Sequence, residues 1–404
     1  MGVDTPMQMW VYIVRRTILL IPIIIGVMTI TFILISALPT GIRCVSYFPI
    51  PRNGDIGPTA PCVGNPQQIC ANPWWTHCVN TLGLENPIPV QWATYMVHSL
   101  TFDWGTVNLN SYISTHSDYS FMAGEPVTTA LAQVLPYTLE LAAISLLLIL
   151  IVSIPLGNLS AANRNRPIDQ ASRVMSFSGY ALAPFLLGSL LLMAFVILIG
   201  ASNGWHSLTC ASSPTYLEFY HSWPAQSCFP GDAYPTWLSN GVASSPTGFP
   251  TVDAAYHGQW AIAADTLIRL ILPAFVIAYG SIAGLLRYVR NSMLEVMNLD
   301  FVRTARAKGV PESVVINRHA GRNSLNVTIT VLGLTFATFI SGFPVTETVF
   351  GLTGVGRLLA LSINIPFDYG IIFGSVLLFT YLVVAANIIV DVLYAYLDPR
   401  VRLG

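Results

Sequence analysis

The residues of this 404-residue chain with the widest chemical repertoire are six cysteines, seven histidines and a single lysine. Cys44, Cys62, Cys70 and Cys78 form one group, and Cys210 and Cys228 another. An even number at such spacings is the pattern of disulfides made in an oxidising space. The sequence leaves the pairing of the first four open and favours Cys210–Cys228 for the last two. Structural zinc is the rival chemistry, but Cys62, Cys70 and Cys78 lack the short C-x2-C step of such sites, and no metal site is assigned. The histidines are scattered singly, as solvated loop residues are. Lys308 is the only lysine, and no G-x-x-x-x-G-K-[ST] loop accompanies it, so ATP is not held in the P-loop manner. H-E-x-x-H and G-x-S-x-G are also missing, which removes the usual metalloprotease and serine-hydrolase signatures. Gly351, Gly354 and Gly356 do not have dinucleotide-loop spacing and predict a tight turn. Neither a catalytic residue nor a cofactor is assigned to this chain.

What carries these residues is a membrane protein. Hydrophobic side chains make up 53% and charged ones 9% of the chain, against about 25% charged in soluble domains. Eighteen basic and nineteen acidic residues nearly cancel, leaving no field for nucleic acid. Crossing a bilayer takes about 20 helical residues. Six stretches suffice: Thr17–Leu38, Leu141–Asn163, Val174–Ala201, Leu267–Arg287, Leu325–Thr346 and Tyr369–Val390. Pro22, Pro155, Pro184 and Pro273 fall inside them, as neighbouring helices in a bundle allow. Gly280 and Gly284 form a small-xxx-small step that permits close helix packing. The first span is too long for a signal-peptide core and reads as a retained anchor.

Positive charge orients the chain. With both termini in the cytoplasm, the inner segments hold Arg15, Arg16, Arg164, Arg166, Arg173, Arg287, Arg290, Arg303, Arg306, Lys308, Arg318, Arg322, Arg400 and Arg402. All six cysteines then fall outside, as an oxidising compartment requires. Glu140, Glu347, Asp368 and Asp391 sit at span ends, so ionisable groups near the midplane, where a proton- or sodium-driven carrier needs them, are scarce. A self-contained carrier or channel and a membrane-embedded enzyme are the rivals that this absence disfavours. The energy source is expected to dock from the cytoplasm.

Along the chain, residues 1–40 hold the tail and first span, 41–130 an outer insertion with four cysteines, 131–201 the next two spans, 202–263 an outer loop with two cysteines, and 264–404 the last three spans. Leu84–Leu100 has apolar residues at helical spacing, an interfacial helix whose Trp92 and Tyr95, with Trp104 beyond it, suit an aromatic belt better than a solute path. The main inner feature is the loop 291–322. Met293–Lys308 predicts one helix with Leu294, Met297, Phe301 and Val302 on one side. Gly309 predicts its C-cap, and Pro311 with Glu312 a new helix start. Composition alone fits both a basic connector and a docking element.

Phe301-Val-Arg-Thr-Ala-Arg-Ala-Lys-Gly309, followed by His319-Ala-Gly-Arg-Asn323, resembles the inner motif of dipeptide/oligopeptide-type ABC importer permeases. The likeness extends to Leu135-Pro-Tyr-Thr-Leu-Glu-Leu141, Ile154-Pro-Leu-Gly157, Glu347-Thr-Val-Phe-Gly351 with Gly356-Arg357, and Leu397-Asp-Pro-Arg400. It implies an all-α polytopic protein with the six-helix type I importer permease fold in the plasma membrane, carrying large extracytoplasmic loops. Its implied partners are a second, homologous permease, two cytoplasmic ABC ATPases that bind ATP and Mg, an outer solute-binding protein and the lipid bilayer. The ATPase-coupling residues it implies are Phe301, Val302, Arg303, Thr304, Ala305, Arg306, Ala307 and Lys308, with Gly309 turning the chain away; Phe301 and Val302 would bury in an ATPase groove. Peptide is the implied solute, with oligosaccharide or a nickel complex as alternatives. The cysteine insertion, and the extra sequence near 108–124 and 203–260, depart from the family pattern.

Overall fold

The computed structural model describes residues 6–45, 48, 57–62, 65–108, 111, 113, 119, 122–199, 247–258, 260–321, 343–365 and 367–397. Among them, four helices contain stretches long and apolar enough to cross a membrane: α1 (Pro6–Ser36), α5 (Val127–Ala162), α9 (Trp260–Met297) and α14 (Tyr369–Leu397). A fifth is reached if α6 (Pro167–Ala181) and α7 (Pro184–Ile199) count together. Most of the expected span Leu325–Thr346 lies outside the described residues.

The α6–α7 pair corrects the expectation of one straight third span. The two helices meet at a bend of 110°. Leu182 is extended (φ −91°, ψ 117°), and Pro184 opens α7. A proline has no N–H for the preceding turn and drives the residue before it out of the helical region. Pro22, Pro136, Pro155 and Pro273 nevertheless stay inside continuous helices. Residue type alone therefore does not decide where a span breaks.

α9 is the central element. Of its membrane-length stretch 61% is buried, against 28% for α1 and 33% for both α5 and α14. The less buried helices turn apolar side chains outward: Ile21, Ile25, Ile33 and Leu34 on α1, Leu147 and Ile151 on α5, Ile389 on α14. In a bilayer such faces meet lipid tails, which are as apolar as they are. Glycine brings the helices together. A β-carbon on Gly179 of α6 would collide with Ala283 of α9, and one on Gly157 of α5 would lie 2.7 Å from Val289. The small-xxx-small step also faces α6: a β-carbon on Gly280 would reach the Gly179 carbonyl at ordinary contact distance, and one on Gly284 would lie 2.9 Å from the Tyr180 hydroxyl.

α5 starts at Val127, well ahead of the expected Leu141, because Val127, Ala130, Leu131 and Val134 bury into a cluster with Met28 and Phe32 of α1 and Ile371 of α14. A second cluster joins α5, α9 and α12 (Phe343–Phe350) through Leu141, Ile149, Ala274, Ile282 and Phe350. α13 (Val355–Ser362) follows α12.

The insertion after α1 is not wholly helical. It holds α2 (Thr40–Val45), an antiparallel hairpin of β1 (Thr59–Cys62) and β2 (Asn65–Ala71), α3 (Pro73–Leu82) and α4 (Ile88–Leu100). Cys44 and Cys78 form a disulfide that ties α2 to α3 and closes a sequence separation of 34. Cys62 and Cys70 lie on the two strands. Cys210 and Cys228, the favoured pair, lie outside the described residues. A short α8 (Pro250–Tyr256) precedes α9.

Candidate functional site

The basic loop after α9 is two elements where one helix is expected. α9 ends at Met297, and Asn298–Leu299 interrupts it before α10 (Asp300–Ala307). Asp300 in its first turn and Arg306 in its last suit the helix dipole. Gly309 follows at φ +75°, left-handed as expected of a residue ending a helix. Pro311 precedes α11 (Glu312–Val314), which continues as a π-helical turn, Val315–Ala320. Arg306 clamps the two arms of the Gly309 turn: its Nε donates to Glu312 Oε2 at 3.1 Å and its terminal nitrogen to Oε1 at 2.6 Å. Both side chains are well exposed, so this fork orients the turn rather than stabilising it strongly.

The interruption sets which face α10 shows. Val302 is fully buried and packs, with Ala305 at its edge, against Met293 of α9, Ala161 of α5, Val315 and Ala320. Phe301, the preceding residue, stays 40% exposed. Arg303, Thr304, Arg306, Ala307, Lys308 and Gly309 are also exposed. This corrects the expectation that Phe301 and Val302 enter one foreign groove: Val302 is the chain's own anchor. α10 is thus a short helix seated on α5 and α9 by one side and open on the other.

About one helical turn from this apolar seat lies a polar hub that sequence reasoning missed. Asp169, in the first turn of α6, is fully buried. Its Oδ1 accepts from Ser160 Oγ of α5 at 2.8 Å and from Arg290 Nε of α9 at 2.6 Å. Its Oδ2 accepts from the Asn165 amide at 2.9 Å, from Arg173 at 2.7 Å and from the second arm of Arg290 at 3.1 Å. Arg290, and with it the other donors, holds the carboxyl well below the usual carboxylate range. One side chain therefore joins α5, α6 and α9 beside the seat of α10. The sequence counted Arg173 and Arg290 only as positive charge. The available signal was local: Pro167 at a helix start, Asp169 in the first turn and Arg173 four residues on.

At the opposite end, the glycine run is a turn and not a nucleotide loop. Glu347 of α12 is buried. It accepts from Thr138 Oγ1 of α5 at 2.8 Å and from the Arg357 amide at 3.0 Å. Thr138 Oγ1 in turn accepts from the Val355 amide at 2.9 Å. A β-carbon on Gly354 would collide with the Glu347 carboxylate, so the chain closes over this acid only because residue 354 has no side chain. Glu140 and Asp368, like Glu347 expected at span ends, are also buried; Asp368 accepts from the Asn108 and Ile371 amides.

Residues 153–403 match the family described as the binding-protein-dependent transport system inner membrane component. Over 396 residues, 97% of this chain and 99% of the relative, the sequence is 31% identical to the oligopeptide transport system permease protein AppB of Bacillus subtilis. It is 30% identical over 397 residues to the dipeptide transport system permease protein DppB of Escherichia coli, covering 97% of this chain and 98% of the relative. The probable D,D-dipeptide transport system permease protein DdpB of Escherichia coli is 33% identical over 323 residues, 80% of this chain and 83% of the relative.

Proposed function

The chain belongs to the family of binding-protein-dependent transport system inner membrane components, and from that membership we propose that it is the permease subunit of an ATP-driven peptide importer. In this reading it forms half of the translocation path beside a second, similar permease. The six-span type I arrangement is completed by a span over Leu325–Thr346. Both termini and the α10 end face the cytoplasm, where the basic residues concentrate. Two ATPase subunits bind ATP and Mg there, and a solute-binding protein docks on the cysteine-bearing side. The names of the relatives support peptide as the solute.

The observation that carries the proposal is the seat of α10. A docking helix must do two things: present an accessible face to its mate, and transmit displacement to the spans. α10 leaves Phe301, Thr304 and Lys308 accessible while Val302 roots it between α5 and α9. Movement of α10 is thereby movement of two spans, the rigid-body kind of transition that alternating access uses.

No native cysteine lies between residues 264 and 404, so a single introduced thiol reports on this face alone. In the assembled complex, Thr304→Cys is expected to cross-link to an ATPase subunit bearing a surface cysteine, and the buried Val302→Cys is not. A complex that transports normally while Thr304→Cys yields no such cross-link at any step of the ATP cycle overturns the assignment.

A further inference from the structure

Beside the outer end of α1, a small open cleft is lined by Phe32 and Ile35 of the span, Arg43 of α2, and Gln91, Thr94 and His98 on one face of α4. Arg43 is its charged group. One terminal nitrogen donates to Gln91 Oε1 at 2.7 Å. Gln91 is itself fixed, its amide donating to the Leu84 and Asn86 carbonyls at 2.8 Å each, so its oxygen is turned toward Arg43. The Arg43 Nε is buried and meets no acceptor, and Arg43 forms no ion pair among the described residues. Burial works against its charge. A partly buried guanidinium without a counter-ion costs free energy unless an oxyanion supplies the counter-charge to its remaining N–H groups.

The surroundings say which oxyanion. α4 lies against the last turns of α1: Trp92 Nε1 donates to Thr29 Oγ1 at 3.1 Å, and the Phe32 and Tyr95 rings are 5.7 Å apart. Thr29 is about 10 Å in from the end of α1 at Ser36, at 1.5 Å per residue. On another flank, α4 exposes Val90, Ala93, Val97 and Leu100, a stripe at helical spacing, and α1 turns Ile30, Ile33 and Leu34 outward. A helix with an apolar outer stripe, bedded on the end of a span, lies in the membrane interface. Arg43 then stands at headgroup level.

We propose that this cleft binds the phosphate of an anionic phospholipid, with Arg43 as the recognising cation and Gln91 as its orienting partner. The inference requires only that α1 spans a bilayer, so it does not depend on the transport reading.

The test reconstitutes the full chain in nanodiscs of phosphatidylcholine containing a minor fraction of phosphatidylglycerol and counts retained lipids by native mass spectrometry. Wild type is expected to retain phosphatidylglycerol in about five- to tenfold preference. Arg43→Gln is expected to abolish the preference. So is Gln91→Glu, which places a carboxylate on Arg43 without removing it, and which decides the matter if Arg43→Gln fails to form the Cys44–Cys78 bridge. Inorganic phosphate at millimolar concentration is expected not to compete. An unchanged preference in a folded variant overturns the site. Displacement by inorganic phosphate, or its Arg43-dependent capture in pure phosphatidylcholine, overturns the lipid as its source.

Discussion

Replacing Gly309 tests whether the shape of the loop, and not merely its charge, transmits force. Gly309 has φ +75°, and a β-carbon there would meet nothing within 4 Å. Collision with neighbours therefore contributes nothing, and the cost of a side chain is the backbone cost alone. For an L-residue that cost is about 1–2 kcal/mol, with β-branched residues at or above the upper end and asparagine well below it. The turn has only modest support against this: two backbone bonds, Gly309 N to Arg306 O and Val310 N to Ala305 O, and the exposed Arg306–Glu312 fork. At 1.4 kcal/mol per factor of ten, Gly309→Val shifts the equilibrium against the turn by about thirtyfold, Gly309→Ala by about fivefold and Gly309→Asn by less. If an ATPase engages only this turn, its apparent affinity falls by up to the same factors, in proportion to the fraction of chains that lose the turn. The assay is solute-stimulated ATP hydrolysis by the assembled complex, titrated with ATPase subunit. The expected order of half-saturation is Gly, Asn, Ala, Val, with the maximum rate recovered at high subunit concentration. A valine variant indistinguishable from wild type, or an asparagine variant as impaired as valine, refutes the reasoning.

Asp169→Asn should lower stability by about 3–5 kcal/mol, because it leaves the largely buried Arg290 without its counter-charge; thermal unfolding of the purified chain measures this. Because the Asp169 pKa is depressed, its contribution is complete above the ordinary aspartate value of about 4 and is lost only as pH falls through the lower folded value. The gap between wild type and variant should accordingly stay flat from about pH 5 to 8; a gap that closes between those limits contradicts the buried ion pair. Cys44→Ala with Cys78→Ala should cost about 2–4 kcal/mol, since the bridge restrains a closed loop of tens of residues. A loss on adding reducing agent that is smaller, by this amount, in the double variant than in wild type is the check.

Most of the helical architecture was legible because a lipid-facing helix must be continuously apolar over a fixed length, and α1, α5, α9 and α14 are. The Gly309 turn was legible for a local reason too: basic residues, then glycine, then proline two residues on. The break before Pro184 was not, because four other prolines in this chain sit inside unbroken helices, and only packing distinguishes them. Nor was the opposite fate of Phe301 and Val302. Adjacent helical residues point about 100° apart, and the interruption at Asn298–Leu299 reset the phase that the expected single helix carried through. The Asp169–Arg290 bond joins positions 121 apart in sequence, and the Cys44–Cys78 bridge was one of several pairings. Both are products of tertiary placement, which no local pattern encodes.

The length of α9 has a mechanical corollary. Its 38 residues make a rod of about 57 Å at 1.5 Å per residue, nearly twice the hydrocarbon thickness, and it is gripped on several sides near its middle. Such a rod behaves as a seesaw: rocking it by about 10° about its centre carries each tip through about 5 Å. A nudge at Met297 is thus answered by an opposite swing near Trp260, without any helix having to stretch, melt or slide.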